Sequence, residues 1–571
     1  MTAPRLPRLP RLLVVAAFAL FTAWSLIVPI NEAPDEPAHW QYARYLHDHW
    51  RLPHYAPGFE EANSPPLAYA LFAPLAVDAS SPDIILARRP NGEFVSVAEP
   101  RRFLNTGDDY RRFGWQRAAR LLAVVISIGT VLFVWKAGVA AGGSAAGLLA
   151  ALFVMLLPMF AFRAGHVSND ALLACGAAAA TWGMVRLVRE PFSWRVAWWT
   201  SAAVGLAYLS KISAIALVPP FAVALLAAEP AATWRVRAAR LSALALAGAI
   251  VAPWSIRNIV LYGDPFASAA MRHAVAHLIT DRSLFSSYFA GDFPRTLTKS
   301  LIGIFGWANV LMPKLFYRPY LALFALALGG AAFAIWRRRL DWRLAGVLAV
   351  AVLAALAVVV RINLQFTQPQ GRYLLPGLPA FAVLLALGLR SLPGAAARAA
   401  SPTAVGTLLL AGNLYALFAV VWPAYHPAPL RTLDSGERVM VPSFFSDLAV
   451  LEVADYQVTG PTPYWTTPID VDASPFAAFE VRVQADAWPR EQLACLRFGP
   501  SFSGLGTRPP ACASWMADGR EQRVRIPLSA EQGWTGQITH LRLDPLATGT
   551  PSPGTVVGIR EPRLLPQAPP R

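Results

Sequence analysis

Long apolar stretches recur through the first 425 residues of this 571-residue chain, and they constrain its fold more than any other feature. A helix needs roughly 17 to 25 mostly apolar residues to cross a bilayer, where it satisfies its backbone hydrogen bonds internally. Hydrophobic residues make up 55% of the chain and charged residues only 15%, which excludes a soluble globule of this size. We therefore predict about eleven transmembrane helices, near residues 12–30, 117–136, 143–161, 170–188, 195–209, 212–228, 241–260, 318–336, 344–360, 374–390 and 403–423.

The basic residues indicate how these helices are oriented. The net charge is +16, and with eleven spans the arginine clusters all fall on one side, which the positive-inside rule makes the cytoplasm. These clusters are Arg5/Arg8/Arg11, Arg186/Arg189/Arg195, Arg235/Arg237/Arg240, Arg337/Arg338/Arg339/Arg343 and Arg390/Arg398. The sequence thus predicts a multi-pass protein of the bacterial cytoplasmic membrane, with its N-terminus in the cytoplasm and its C-terminal part outside. Because the charge follows topology, membrane lipid is an expected partner and nucleic acid is not.

The first apolar segment has the basic flank of a signal peptide. No small-residue cleavage site stands out after it, so we expect it to remain as a membrane anchor.

The tail, residues 426–571, has a different pattern, with short hydrophobic runs and frequent prolines and glycines. Its apolar residues alternate with polar ones, as in Phe479, Val481, Val483 and Ala485. A period of two predicts strands, and short strands separated by turns predict an exported, jelly-roll-like β-sandwich. Such a domain either binds carbohydrate or serves only for packing and docking.

The three cysteines fit this division. Cys175 lies within an apolar segment, where a small packing role is expected. Cys495 and Cys512 lie in the exported tail, where the compartment permits a disulfide, and we expect them to form one.

The outer loop after the first span, about residues 31–116, opens with Asp35, Glu36 and His39. If a helix runs from Glu36 to about Leu46, these three side chains crowd together beside the membrane. They then suit a general base or a divalent cation such as Mg²⁺ or Mn²⁺. The alternative is structural, because an aspartate directly before a helix can simply cap it.

Polar residues also collect at the predicted outer ends of later spans. Several cations on an outer face violate the positive-inside trend and suggest an anionic ligand, for which phosphate is the natural candidate. The alternative for each is contact with lipid headgroups. The phosphate-binding candidates are Lys211, Arg257 and Arg372, and the other outer-face polar residues are Arg163, His166, Asn169, Asp170 and Asn258.

Five motifs occur in an order that resembles the GT-C superfamily of membrane glycosyltransferases. They are Pro34–His39, Ser64–Tyr69, Ser210–Lys211, Pro253–Asn258 with Tyr262–Pro265, and Gln370–Pro376. The chain is distantly similar to protein O-mannosyltransferases and lipid A aminoarabinose transferases. It looks closer to a bacterial group of predicted membrane proteins of unknown function that share the acid-proline-histidine signature.

The resemblance covers residues 1–425 and implies sugar transfer from a polyprenyl-phosphate donor, of a hexose or a pentose, to a hydroxyl of a glycan, lipid or protein. It implies that Asp35 is a general base or metal ligand, with Glu36 as its acidic neighbour. His39 matches the nearer bacterial group alone. From the residues and the resemblance together, we expect an inverting reaction in which Lys211, Arg257 and Arg372 stabilise the leaving phosphate.

Two functions of other classes compete with this interpretation. A flippase for a lipid-linked saccharide would also hold a phosphate, but it needs polar groups through the depth of the membrane, whereas here they gather at one end of the spans. A non-catalytic envelope scaffold would tolerate replacement of Asp35. We find no phosphate-binding glycine loop, zinc-protease motif or nucleophile elbow in the sequence.

Overall fold

The computed structural model describes residues 8–55, 59–77, 114–269, 272, 279–308, 310–394, 401–425, 431–432, 438–440, 444–452, 455–499, 505 and 509–567. Most of the second half of the predicted outer loop, residues 78–113, lies outside them. The chain divides into two compact units, which part between Val421 and Trp422. The boundary predicted at 425/426 lies close to this division.

The first unit is helical, and its helices follow from the apolar periodicity of the sequence. They are α1 (Arg8–Ile27), α2 (Glu36–His49), α3 (Leu67–Phe72), α4 (Gly114–Gly142), α5 (Ser144–Leu156), α6 (Pro158–Ala164), α7 (Asp170–Arg189), α8 (Trp194–Ser210), α9 (Val218–Ala227), α10 (Trp234–Arg240), α11 (Leu244–Tyr262), α12 (Ser287–Ala290), α13 (Asp292–Gly303), α14 (Tyr317–Trp336), α15 (Trp342–Asn363), α16 (Leu378–Arg390) and α17 (Pro402–Leu414). A π-helical turn, Tyr415–Val421, continues α17. Short 3₁₀ turns cover Glu60–Asn63, Ala73–Leu75, Ile212–Leu217, Leu241–Ala243, Lys314–Phe316 and Gly371–Leu374, and a small hairpin pairs β1 (Ile304–Phe305) with β2 (Val310–Leu311).

Seven of the described helical segments are long and apolar enough to cross a membrane. They are Leu9–Ile27, Gly114–Gly142, Asp170–Arg189, Trp234–Tyr262, Lys314–Trp336, Trp342–Asn363 and Pro402–Tyr425. Helices α5 and α6 make an eighth if they form one span; they meet at 69°. The bend falls at Leu157, which is extended because the residue before a proline avoids the helical region.

The other predicted spans are also helical but shorter: α8 has 17 residues, and Ile212–Ala227 and α16 are shorter apolar helices. A polytopic helical membrane protein is confirmed, while eleven crossings stay a prediction. Close packing holds the bundle together where small residues meet. At Gly388 a Cβ atom would come within 1.8 Å of the Ala327 carbonyl oxygen, so only glycine lets α16 lie this close to α14.

The second unit begins with a short helix, α18 (Trp422–Tyr425), and is otherwise built from antiparallel strands, which confirms the predicted C-terminal β domain. They are β3 (Arg431–Thr432), β4 (Arg438–Val439), β5 (Phe444–Ser446), β6 (Leu448–Glu452), β7 (Asp455–Val458), β8 (Tyr464–Asp472), β9 (Phe476–Gly499), β10 (Ala511–Asp518), β11 (Gln522–Pro527), β12 (Gln537–Asp544) and β13 (Val556–Pro566). Their longest path of neighbours runs β3-β4-β13-β9-β12-β8-β5.

Strand β9 explains how one core forms between two layers. Its first part pairs with β11 and β13, and its last part pairs with β10 and β12. Val481 and Val483 from the first part and Ala494 and Leu496 from the last part are all buried in the same apolar cluster. The two sheets that share β9 therefore enclose one core, as in a sandwich. The inward residues of the first part follow the predicted alternation.

The disulfide joins the last part of β9 to β10. Cys495 and Cys512 lie opposite each other in the strand register and are bonded. Cys175 is free and partly buried within α7.

Candidate functional site

Asp35 lies directly before α2, which begins at Glu36 as predicted and continues to His49. Its backbone is left-handed (φ 64°), and its side chain makes no capping hydrogen bond to the helix. One carboxylate oxygen instead lies 2.5 Å from Nη2 of Arg372. The capping alternative therefore does not describe this side chain, which is directed to a residue 337 positions away in sequence.

Arg163, Lys211 and Arg372 converge on Asp35 and Asp170 at the ends of α6, α7 and α8. Arg163 donates from Nε and Nη2 to one oxygen of Asp170, at 3.0 and 2.7 Å, and Lys211 Nζ lies 2.6 Å from the other. We call Asp35, His39, Arg163, Asp170, Lys211 and Arg372 the outer polar cluster. Its members are buried except for Asp35 and Lys211, whose side chains are 28% and 16% exposed.

Arg372 reaches this cluster because of the residue before it. Gly371 begins a 3₁₀ turn, and its N–H donates to Ser300 Oγ at 3.0 Å. A Cβ at this position would lie 2.3 Å from the backbone of Leu301, so a side chain would push the turn away from α13. The glycine in the Gln370–Pro376 motif therefore places the arginine that follows it.

His39 forms a second group with Asp35 and Glu61, which offer one ligand atom each within 4.8 Å of one another. The hydroxyl of Tyr69 lies 3.1 Å from Nδ1 of His39 and donates to Glu61 at 3.0 Å. Asn169 donates to the same hydroxyl at 3.0 Å. This network fixes the imidazole and the carboxylate in one orientation.

These three residues fit a divalent metal ion. Nε2 of His39 is buried and has no partner among the described residues, and burial lowers the imidazole pKa against the opposing charges of Glu61 and Asp35. A neutral imidazole beside two carboxylates suits Mn²⁺ or Zn²⁺ better than Mg²⁺, which prefers oxygen ligands alone. Glu61 was not among the site residues predicted from the sequence. Its position as an acid just before the Ser64–Tyr69 motif could have indicated it.

Glu36 is separated from this group, although it follows Asp35 in sequence. Both of its oxygens are bound by Arg120, at 2.7 and 2.6 Å, and both also accept backbone N–H groups, from Asn31 and Val167. Glu36 and Arg120 are fully buried. The expected grouping of Glu36 with Asp35 and His39 for catalysis or metal binding is therefore not what the structure shows.

Arg120 also binds the end of α1, since it donates to the carbonyl oxygens of Ser25, Val28 and Pro29 at 2.7–2.8 Å. The sequence analysis missed this residue too. The signal was an arginine inside the predicted span 117–136, where a charge is costly unless it is paired.

Arg257 and Asn258 are placed differently from the other predicted site residues. Arg257 donates to the carbonyl oxygen of Pro53 at 2.5 Å and lies over the ring of Trp254, while Asn258 donates to the carbonyl oxygen of Pro265 at 3.2 Å. These contacts tie the loop after α2 to the end of α11. They do not join Arg257 to the outer polar cluster.

His166 and Asn169 belong to the buried turn between α6 and α7. Nδ1 of His166 bonds the carbonyl oxygen of Phe162, and burial, reinforced by Arg120, lowers its pKa to about 3. The imidazole is therefore neutral at physiological pH. Asn169 contributes to the Tyr69 network described above.

An apolar crevice borders the outer polar cluster. It is small, and its lining residues are Arg163, Arg372, Gly371, Leu157, Met159, Phe160, Leu301, Leu375 and Leu378. Three of these residues, Leu157, Leu301 and Leu378, also line an adjoining crevice with Phe153, Phe324, Phe381, Ala382 and Leu385. Two buried arginines are therefore among the lining residues of one of two small, adjoining, mostly apolar crevices.

Comparison with known proteins adds a family match over part of the chain. Residues 114–256 match the dolichyl-phosphate-mannose-protein mannosyltransferase family, well under half of the sequence. This match confirms, for that segment, the predicted resemblance to protein O-mannosyltransferases. No curated protein matches the chain.

Three solved structures are similar in outline. ArnT from Cupriavidus metallidurans bound to undecaprenyl phosphate is 18% identical, with 71% of this chain and 63% of that chain covered and a TM-score of 0.42. The Archaeoglobus fulgidus oligosaccharyltransferase in its apo form is 14% identical (71% and 56% covered, TM-score 0.42). Arabinosyltransferase EmbB from Mycobacterium smegmatis is 12% identical (99% and 66% covered, TM-score 0.38). The chain thus spans less than two thirds of the length of each.

Proposed function

We propose that the protein transfers a sugar from a polyprenyl-phosphate donor to an acceptor hydroxyl at the outer face of the cytoplasmic membrane, with inversion at the anomeric carbon. The observation that carries this proposal is that Arg163 and Arg372 line an apolar crevice together, while Arg372 also pairs with Asp35. Buried cations suit a phosphate and an apolar crevice suits an isoprenoid chain. A water-soluble sugar nucleotide has no use for the crevice.

The donor phosphate is held by Arg372, Arg163 and Lys211 in this proposal. Arg372 has spare capacity, because its buried Nε has no partner among the described residues. Arg163 and Lys211 share Asp170, whose two oxygens hold both cations in place. Arg257 is left out of the phosphate site, since its contacts are with Pro53 and Trp254.

Asp35 is the general base in this mechanism. Burial opposes its ionisation, but Arg372 and, more weakly, Arg163 outweigh burial and hold the carboxyl pKa well below its ordinary range. A carboxylate paired in this way is a weak base. A donor phosphate that takes over Arg372 removes the pairing and raises the proton affinity of Asp35, so the base becomes effective once the donor is bound.

The reaction then balances in one displacement. The acceptor hydroxyl oxygen attacks the anomeric carbon and gives its proton to Asp35, while the bond from that carbon to the phosphate oxygen breaks. The phosphate leaves with the electron pair, and Arg163, Lys211 and Arg372 stabilise its growing charge. Glu36 takes no part; with Arg120 it fixes the turn that carries Asp35.

As the alternative to its role as base, Asp35 would hold a divalent metal ion together with His39 and Glu61. Bound there, the ion would add positive charge close to the leaving phosphate. His39 and Glu61 are oriented for this by Tyr69, whether or not the ion takes part in the reaction.

The test uses the full chain in nanodiscs with a panel of hexosyl and pentosyl polyprenyl phosphates, and it monitors released polyprenyl phosphate. We expect turnover by the wild type and a loss of roughly a hundredfold or more in Asp35→Asn. Asp48→Asn is the matched control, because Asp48 lies near the other end of α2, is 44% exposed and, among the described residues, pairs only with Arg44. That variant should keep full activity.

The same experiment separates the competing functions. Movement of lipid-linked saccharide between leaflets without turnover would overturn the proposal in favour of a flippase. Full activity in Asp35→Asn would overturn the role of the base.

A further inference from the structure

A second charged surface lies on the opposite ends of the spans, where three turns of the bundle meet. The backbone N–H of Phe192, between α7 and α8, donates to Glu229, which lies between α9 and α10. Arg343, at the start of α15, donates to the carbonyl oxygen of Ala227 at 3.3 Å. These contacts place the turn between α14 and α15 beside the other two.

Each acid on this face already forms an ion pair with an arginine. The sequence of the three turns and their flanks contains Glu190, Glu229 and Asp341, and they pair with Arg186, Arg240 and Arg343 in that order. No acid of the described residues is left for the other arginines on this face.

The turn between α14 and α15 therefore carries an unneutralised charge. Arg337, Arg338 and Arg339 are consecutive and exposed, and none has an acidic partner among the described residues. Each of the three turns has one paired acid, but this turn keeps three arginines without an acidic partner among the described residues, whereas each neighbouring turn keeps two (Arg189 and Arg195; Arg235 and Arg237).

Two tryptophans fix the depth of this turn. Trp336 ends α14 and Trp342 begins α15, and they are 72% and 73% exposed. Exposed tryptophans at the ends of apolar spans lie at the level of the lipid headgroups. The three arginines between them thus lie at the depth of the phospholipid phosphates.

We propose that Arg337, Arg338 and Arg339 form a binding site for an anionic phospholipid, with Trp336 and Trp342 against its glycerol and upper acyl region. The guanidinium groups pair with the headgroup phosphate, and the excess charge selects a lipid with net negative charge over a zwitterionic one. This site is separate from the proposed transferase site and does not depend on turnover.

The test is native mass spectrometry of the full chain in detergent, titrated with phosphatidylglycerol or with phosphatidylcholine of the same chain length. We expect the wild type to retain phosphatidylglycerol in preference. The combined Arg337→Gln, Arg338→Gln and Arg339→Gln variant should bind it roughly a hundredfold more weakly, about fivefold for each arginine. Binding of phosphatidylcholine should not change.

The control variant combines Arg189→Gln, Arg195→Gln and Arg235→Gln, which removes the same charge from exposed positions of the neighbouring turns. It should keep most of the affinity for phosphatidylglycerol, and a loss equal to that of the first variant would overturn the site in favour of a diffuse charge effect.

Displacement of phosphatidylglycerol by millimolar inorganic phosphate would show that the arginines bind phosphate alone and would overturn the proposed lipid site. The Arg→Lys triple variant, which keeps the charges, should retain binding even if the Gln variant folds poorly; loss of binding in a folded Lys variant would contradict charge selection.

Discussion

Asp35 and Glu36 are adjacent acids, and each is paired with an arginine from a distant part of the membrane unit. The Glu36–Arg120 pair is saturated: both carboxylate oxygens accept two hydrogen bonds, and Arg120 also donates to three carbonyl oxygens. The Asp35–Arg372 pair is joined by one hydrogen bond, and Nε of Arg372 is left over.

The hydrogen bonds and the exposure of the two pairs show how a structural ion pair differs from a reactive one. A saturated, fully buried pair has nothing to offer a ligand and is costly to break. A pair with unused donors and a partly exposed carboxylate can exchange its partner for a substrate. Adjacent residues of the same chemistry therefore have opposite roles, and the hydrogen bonds around them decide which.

The largest effect is expected from breaking the saturated pair. Arg120→Ala leaves the Glu36 carboxylate buried and uncompensated, which should cost about 3–5 kcal/mol of unfolding free energy. Thermal unfolding in detergent should show a much lower midpoint and poor recovery of folded protein. Arg295→Ala, which breaks the exposed Arg295–Asp292 pair, should shift the midpoint little. An Arg120→Ala protein as stable as the wild type would contradict the comparison.

Replacing the arginine of the reactive pair should affect activity more than folding. Arg372→Gln removes a phosphate ligand from a buried site, so kcat/KM for the lipid donor should fall roughly a hundredfold, or about 3 kcal/mol. The melting midpoint should stay close to that of the wild type. Arg361→Gln, at an exposed position in the last turn of α15, is the control. If Arg372→Gln unfolded the protein as Arg120→Ala does, the two pairs would not differ in kind.

The sequence predicted the helical bundle and the β domain because their patterns are periodic and repeated. It also predicted Asp35, His39, Lys211 and Arg372 as site candidates, which the structure brings into one region. Lys211 and Arg372 stand out because cations at the outer ends of spans run against the positive-inside trend, and Asp35 and His39 stand out because they crowd together directly after the first span.

What the sequence missed depends on distant contacts. Nothing in the order of residues distinguishes Glu36 from Asp35, because Arg120 and Arg372 approach from opposite parts of the chain. Glu61 becomes a neighbour of His39 only through Tyr69. Arg257 looked like Arg372 in sequence, yet it binds the loop after α2.

A smaller effect should follow when the reactive pair is moved without a change of charge. Gly371→Ala places a Cβ against the backbone of Leu301, and relief of that overlap should cost about 1–3 kcal/mol and shift the turn that carries Arg372. We expect a raised KM for the donor together with a modest loss of stability. Gly346→Ala is the control, since a Cβ there meets nothing within 4 Å. Unchanged donor kinetics in Gly371→Ala would mean that the pair tolerates displacement.

The smallest effect tests the group that Asp35 forms with His39 and Glu61. Tyr69→Phe removes the hydroxyl that orients His39 and Glu61 but leaves both proposed ligands in place. Loss of such an orienting group should weaken Mn²⁺ binding by about tenfold, measured by calorimetric titration of protein stripped with a chelator. Tyr45→Phe is the matched control, because the Tyr45 hydroxyl contacts only the exposed Arg51 among the described residues. Equal Mn²⁺ affinity in wild type and Tyr69→Phe would show that the network does not orient a metal site, and Asp35 would then act in this region through Arg372 and the acceptor alone.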